Sequence, residues 1–225
     1  MSSRTRVAIL EDQQIAVDCY SFRLQDAPEF EIVGVANVYS DWAPLLATRP
    51  SDVALMDVKV PSAPDIPDPY PILRVMPNLV QAHPETAFLV ISAYPEPTLI
   101  QGVMEAGANG YILKDDNVVL RNLKSILAFV ADNGGIYLSP QAQQLLRQRQ
   151  AGGAELGLTP RQVEALALCA AHPDSSMKEL TARMNVAAST FRNLLSQAYL
   201  RLEVTGRKAA VLKAQQLGLI SPPLR

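Results

Sequence analysis

Cysteine is nearly absent from the 225-residue sequence: only Cys19 and Cys169 occur, one in each half. Two thiols so far apart support neither a disulfide framework nor a zinc cluster, and both read as small buried hydrophobes. Histidine is equally scarce, with His83 and His172 each expected on the surface near a helix end. No glycine-rich nucleotide loop, catalytic triad or His/Cys metal motif is present, so the sequence does not point to an enzyme with external substrates. No apolar run approaches the roughly 20 residues of a membrane span. The start, Met1 to Arg6 followed by Val7 to Leu10, lacks the apolar core and cleavage site of a secretory signal, so a cytoplasmic protein without a membrane partner is expected.

Hydrophobic residues make up 48% of the chain, which excludes disorder, and its length suits two compact domains. The formal net charge of −2 hides an asymmetry. Residues 1–154 carry 11 Lys and Arg against 17 Asp and Glu, a balance of −6, whereas residues 155–225 carry 9 against 5, a balance of +4. A small basic unit suits contacts with nucleic-acid phosphates.

In the acidic half, Val7 to Leu10 is an apolar run that ends in Glu11-Asp12, and Val53 to Met56 is another that ends in Asp57. Ala87 to Ile91 runs into Ser92, Gly110 to Leu113 runs into Lys114, and Glu31 to Ala36 is a further short run. Such runs read as buried parallel strands. Amphipathic segments of helical length separate them, including Thr98 to Glu105 and Val118 to Val130. The pattern predicts an α/β fold, a doubly wound five-stranded parallel sheet, whose ligands bind beyond the carboxyl ends of the strands. Glu11, Asp12, Asp57, Ser92 and Lys114 would then converge in one crevice. Three crowded carboxylates call for a hard cation such as Mg²⁺ with oxygen ligands. A lysine and a hydroxyl beside them suit the oxygens of a phosphoryl group during attack by a carboxylate, which makes Asp57 the candidate nucleophile.

The segments ILEDQ, LMDVKVP, VISAY and EAGANGYILKD resemble the receiver domain of bacterial two-component response regulators over about Val7 to Val130. The resemblance implies that Asp57 accepts a phosphoryl group from a sensor histidine kinase. It also implies that Glu11, Asp12, Asp57 and the backbone carbonyl of Lys59 hold Mg²⁺, and that Ser92 and Lys114 bind the phosphoryl group. Ser92 and Tyr111 take the switch positions, with the aromatic ring turning inward on activation. The family usually continues after this aspartate with one proline and a short turn. Here Pro61 to Pro71 is longer and rich in proline, which predicts a stiff extended loop beside the acceptor.

Residues 131–157 have the composition of a connection, with Asn133-Gly134-Gly135, Gly152-Gly153 and a possible short helix from Pro140 to Gln150. A receiver domain over 1–130 and a second domain over 158–225 are therefore expected. Thr159-Pro160 opens a helix to about Ala171, and Ser176 with Glu179 forms a capping box for a second helix to Met184. A third helix, about Ser189 to Leu202, has Phe191, Leu195, Ala198 and Leu202 as its buried stripe, leaving Ser189, Arg192, Asn193, Ser196, Gln197 and Arg201 on the other face. A final helix covers Arg207 to Leu217.

LTPRQVEALALCA, SMKELTARMNVAASTFRNLL and RLEVTGRKAAVLKAQQLGLI resemble the all-α four-helix output domain, with its helix-turn-helix, of LuxR-type regulators, the NarL/FixJ class. That resemblance, with the polar face of the third helix, implies DNA contacts from Lys178, Ser189, Thr190, Arg192, Asn193, Ser196 and Gln197, and a dimer surface on the last helix. Leu194 stands where the class commonly has histidine. The expected function is thus regulation of transcription by a phosphorylation-controlled homodimer on double-stranded DNA, with no catalysis beyond the receiver's own phosphorylation and dephosphorylation. Two alternatives stay open: a DNA-binding regulator whose receiver works without phosphorylation, and a receiver-controlled protein-interaction module, for which Leu194 and Leu200 are the motive.

Overall fold

The computed structural model describes residues 4–133, 135–150 and 158–220. Gly134, residues 151–157 with Gly152-Gly153, and residues 221–225 of the expected second domain lie outside the described residues. The apolar runs form β1 (Thr5–Leu10), β2 (Phe30–Ala36), β3 (Val53–Asp57), β6 (Ala87–Ser92) and β7 (Gly110–Leu113), with a short β8 (Tyr137–Leu138). They make one parallel sheet in the order β2-β1-β3-β6-β7-β8.

Side chains alternate across this sheet with period two, so each strand feeds two apolar layers. Val7, Ile9, Leu55, Leu89 and Ile112 pack with α1 (Gln14–Leu24), α5 (Asn117–Arg121) and α6 (Leu123–Asn133). Leu10, Met56, Phe88, Val90 and Tyr111 pack with α2 (Trp42–Thr48), α3 (Ile72–Ala82) and α4 (Pro97–Glu105). The helix expected from Val118 to Val130 is broken at Asn122 into α5 and α6.

Two features depart from the sequence expectation. The proline-rich stretch is not a plain loop: β4 (Pro61–Ala63) and β5 (Ile66–Pro69) pair as an antiparallel hairpin outside the main sheet. Prolines are tolerated in a two-stranded ribbon because each of its strands is an edge. The parallel sheet also has six strands rather than five, because the chain returns after α6 and lays Tyr137 and Leu138 alongside Gly110 and Tyr111. A two-residue strand lies below the length at which periodicity can be read. The approach at Gly110 is close: a Cβ there would meet the Leu89 side chain and the Tyr137 carbonyl oxygen.

Beyond β8, α7 (Pro140–Gln150) packs on α4 and β7, and the second unit follows with α8 (Pro160–Ala171), α9 (Met177–Met184), α10 (Ala188–Arg201) and α11 (Arg207–Gln216). Both predicted caps form. Thr159 Oγ1 accepts the Gln162 N–H at 3.3 Å while Gln162 Oε1 accepts the Thr159 N–H at 2.9 Å, and Ser176 with Glu179 repeats the exchange. Phe191, Leu195, Ala198 and Leu202 are buried as expected. The apolar layer of α2 to α4 continues without a break through Leu138 and Leu146 to Leu166, Phe191 and Tyr199.

Replacing Gly110 by alanine forces β7 and β8 apart. Urea unfolding of Gly110→Ala is expected to show a loss of about 2 kcal/mol, the scale of overpacking in a filled core.

Candidate functional site

The carboxyl ends of the strands bring the expected residues together because β1, β3, β6 and β7 are neighbours in the sheet. Asp57 closes β3 and Glu11 follows β1; both are buried, whereas Asp12 is exposed. Each of the three offers a carboxylate oxygen within 4.8 Å of the others. An all-oxygen, anionic donor set of that size fits Mg²⁺.

Lys114, the residue after β7, answers this negative charge. Its Nζ lies 2.8 Å from Glu11 Oε2 and 2.9 Å from Asp57 Oδ2. Burial alone would lower the ammonium pKa, but the bonds to Glu11 and Asp57 outweigh it and the net direction is upward. Burial pushes the Glu11 carboxyl up; the bond from Lys114 pulls it back and the charge of Asp57 pushes it up again. Asp57 Oδ1 accepts the Val58 N–H at 2.7 Å, so both of its carboxylate oxygens are held. The Tyr20 hydroxyl, at 3.4 Å from Glu11 Oε2, adds a weak contact. Lys59 is exposed, with Nζ 6.0 Å above the centre of the Tyr94 ring.

Ser92 and Tyr111 are both fully buried. Ser92 Oγ accepts the Tyr94 N–H at 3.1 Å, and the Tyr111 hydroxyl donates to the Tyr94 carbonyl at 2.9 Å. Burial pushes the Tyr111 phenol up to about 12. The Tyr111 ring, expected to turn inward on activation, is thus inside already, and its strand is held from the β8 side. The Ser139 N–H donates to the Tyr111 carbonyl at 3.0 Å, and the Leu113 N–H donates to Ser139 Oγ at 3.2 Å. Tyr20 and Ser139 were not legible as site residues, since each is a lone polar side chain in a segment chosen for other reasons. Tyr70 was missed for the same cause; its hydroxyl donates to the Asp57 backbone carbonyl at 2.7 Å.

The residues expected on the DNA-reading face divide. Lys178 and Thr190 are exposed. Ser189 and Ser196, expected on the outward face of α10, are buried, and the Ser196 hydroxyl donates back to the Asn193 carbonyl at 3.1 Å. Arg192, Asn193 and Gln197 face the α/β unit, because α10 lies against α3 and α4. Arg192 Nη1 donates to the Thr86 carbonyl at 3.4 Å, with Glu85 at 4.0 Å, and burial pushes its guanidinium pKa down. Gln197 Nε2 donates to the Glu105 carbonyl at 3.2 Å, and the Asn193 amide lies beside Gly107. Leu194 and Leu200 are half-buried and pack on the shared apolar layer.

No family model matches the chain. Curated relatives match it over nearly its full length. The transcriptional regulatory protein DesR of Bacillus subtilis is 23% identical over 94% of this chain and 97% of its own. The DNA-binding transcriptional activator DevR/DosR of Mycobacterium tuberculosis is 26% identical over 97% of each, and the transcriptional regulatory protein DegU of Brevibacillus brevis is 22% identical over 97% and 96%. Among solved structures, the RcsB response regulator of Salmonella typhimurium has the same fold, with a TM-score of 0.58 at 18% identity over 96% of this chain and all of that one.

Lys114→Met leaves Glu11 and Asp57 without their shared cation. In Mg²⁺-free buffer this is expected to cost about 3 kcal/mol, as for other broken buried pairs. Added Mg²⁺ should raise the melting temperature of the variant more than that of the unsubstituted protein. Lys114 holds the Glu11 carboxyl down against burial, so removing it lets Glu11 bind its proton more readily in the folded variant than in the folded unsubstituted protein; acidification from about pH 8 to about pH 5 should therefore stabilise the variant more and narrow the gap between the two.

Proposed function

With the chain a member, by whole-length similarity, of the NarL/FixJ class of transcriptional response regulators, we propose that a phosphoryl group on Asp57 controls whether its second domain binds duplex DNA. The receiver is taken as residues 1–130, the connection as 131–157 and the DNA-binding domain as 158–225. The observation that carries the reading is the position of α10: Arg192, Asn193 and Gln197 are turned onto α3, α4 and the segments beside them. A helix held this way cannot enter a major groove, so binding requires its release.

The chemistry follows from the crevice. A carboxylate oxygen of Asp57 attacks the phosphorus of a kinase phosphohistidine, the P–N bond breaks and the imidazole leaves with that electron pair. Mg²⁺ held by Glu11, Asp12, Asp57 and the Lys59 carbonyl would neutralise the crowded negative charge. Lys114, now shared between Glu11 and Asp57, gains phosphoryl oxygens as partners, and Ser92 Oγ turns from the Tyr94 amide toward the same group. Tyr111 shares Tyr94 with Ser92, and its strand carries β8, which leads into α7 against α4. A shift at Ser92 therefore has a bonded route to the surface that holds α10. Once free, two copies paired through α11, where Leu212 and, just past its end, Leu217 are exposed, read half-sites related by a twofold axis.

The test is recovery of bound duplexes from a random pool, with Mg²⁺ and with or without beryllofluoride, for the unsubstituted protein and Asp57→Ala. Symmetric sites enriched only with the mimic, and not by Asp57→Ala, are expected, with affinity falling steeply as salt rises. Equal enrichment in all arms would mean that Asp57 does not gate binding; no enrichment in any arm would sink the DNA-reading role.

A further inference from the structure

Tyr70 closes the hairpin that the proline-rich stretch forms. Its backbone N–H donates to the Val60 carbonyl at 3.2 Å, so β4 and β5 leave from one base. That base is buried, with Val60 fully covered and Tyr70 2% exposed, while the far side of the hairpin is open and Ile66 is 47% exposed. The Tyr70 ring stacks on Tyr39, with centres 4.5 Å apart and planes within 6°. Tyr39 opens the 3-10 turn Tyr39–Asp41, and β4 packs on that turn. The phenol is thus placed by two independent contacts before its hydroxyl reaches the Asp57 backbone carbonyl.

The peptide unit that receives this bond joins Asp57 to Val58, and its other end is the N–H that grips Asp57 Oδ1 at 2.7 Å. A peptide unit is planar, so orienting its C=O fixes the direction of its N–H. The donor on the oxygen also polarises the unit and strengthens the bond made by the nitrogen. Asp57 Oδ2 is held separately by Lys114. We propose that Tyr70 is a positioning residue for phosphoryl transfer at Asp57: through one peptide unit its hydroxyl sets the orientation of the accepting carboxylate and of the backbone running on to Lys59.

The proposal rests on Asp57 as the phosphoacceptor. It is tested on the full chain with Mg²⁺ and acetyl phosphate. In that reaction an Asp57 oxygen attacks phosphorus, the P–O bond to the acetyl group breaks, and acetate leaves with the electron pair. Intact-mass spectrometry follows the gain of one phosphoryl group for the unsubstituted protein, Tyr70→Phe, Ser62→Ala and Asp57→Ala, at saturating Mg²⁺ and donor.

Tyr70→Phe keeps the ring and its stack and loses only the donor. Its maximal rate is expected to fall roughly tenfold, the scale of a small misplacement at a reacting group. The Ser62 hydroxyl bonds the Asp68 carbonyl at 2.9 Å inside the hairpin, so Ser62→Ala loosens the hairpin without touching the Asp57 peptide and should stay within about twofold of the unsubstituted rate. An unchanged rate in Tyr70→Phe, or an equal fall in Ser62→Ala, overturns the positioning role while leaving Asp57 as acceptor. Absence of the modification from the unsubstituted protein overturns both. Should Tyr70→Phe fail to fold, Tyr39→Leu removes the stack but keeps the phenol. Its rate is expected to fall about threefold, and an unchanged rate counts against the proposal.

Discussion

One ammonium group, that of Lys114, bonds both Glu11 and Asp57 where four strands end, and much of the structure is arranged around that constraint. Two carboxylates this deeply buried repel each other in a poorly solvating environment, and a counter-charge between them offsets that cost. Lys114 supplies that charge from the residue just past β7, the strand that carries Tyr111 and pairs with β8. Anything that adds charge at Asp57 must therefore redistribute the partners of Lys114. Asp57 and the end of β7 are tied by a direct ion pair rather than by proximity.

The second dependence is apolar. The layer beneath α2, α3 and α4 runs on through Leu138, Leu146, Leu166 and Phe191, so the two units share one core on that side of the sheet. Among the described residues, Gln197 and Arg192 of α10 reach the backbone carbonyls of Glu105 and Thr86 at 3.2 and 3.4 Å, and Arg192 lies 4.0 Å from the exposed Glu85 carboxylate. Exposed or stretched contacts of this kind are individually weak. The closed arrangement thus rests mainly on packing along α7 and α4, with the polar groups setting register.

Much of this was legible in the residues. Buried parallel strands declare themselves as continuous apolar runs, and the carboxylates, serine and lysine that follow those runs meet because a parallel sheet gathers the carboxyl ends of its strands along one edge. The caps at Thr159 and Ser176 were equally readable, since a capping box is a local pattern. The missing parts were those set by tertiary contact. β8 has two residues and exists because Gly110 leaves room for it. The hairpin was hidden by its prolines, which usually argue against a strand. Ser189 and Ser196 looked outward on a helical wheel and are buried. Tyr70 carried no signal at all, because a single tyrosine after a proline run shows nothing of where its hydroxyl points.

The most direct test of the central claim, that charge at Asp57 governs the docking of α10, is a distance distribution between spin labels on exposed Gln81 of α3 and exposed Arg183 of α9, each replaced by cysteine with Cys19 and Cys169 removed. The account predicts one narrow distance in Mg²⁺ alone and a longer, broader population once beryllofluoride is added, absent when Asp57 is alanine. An identical narrow distribution under every condition would contradict it.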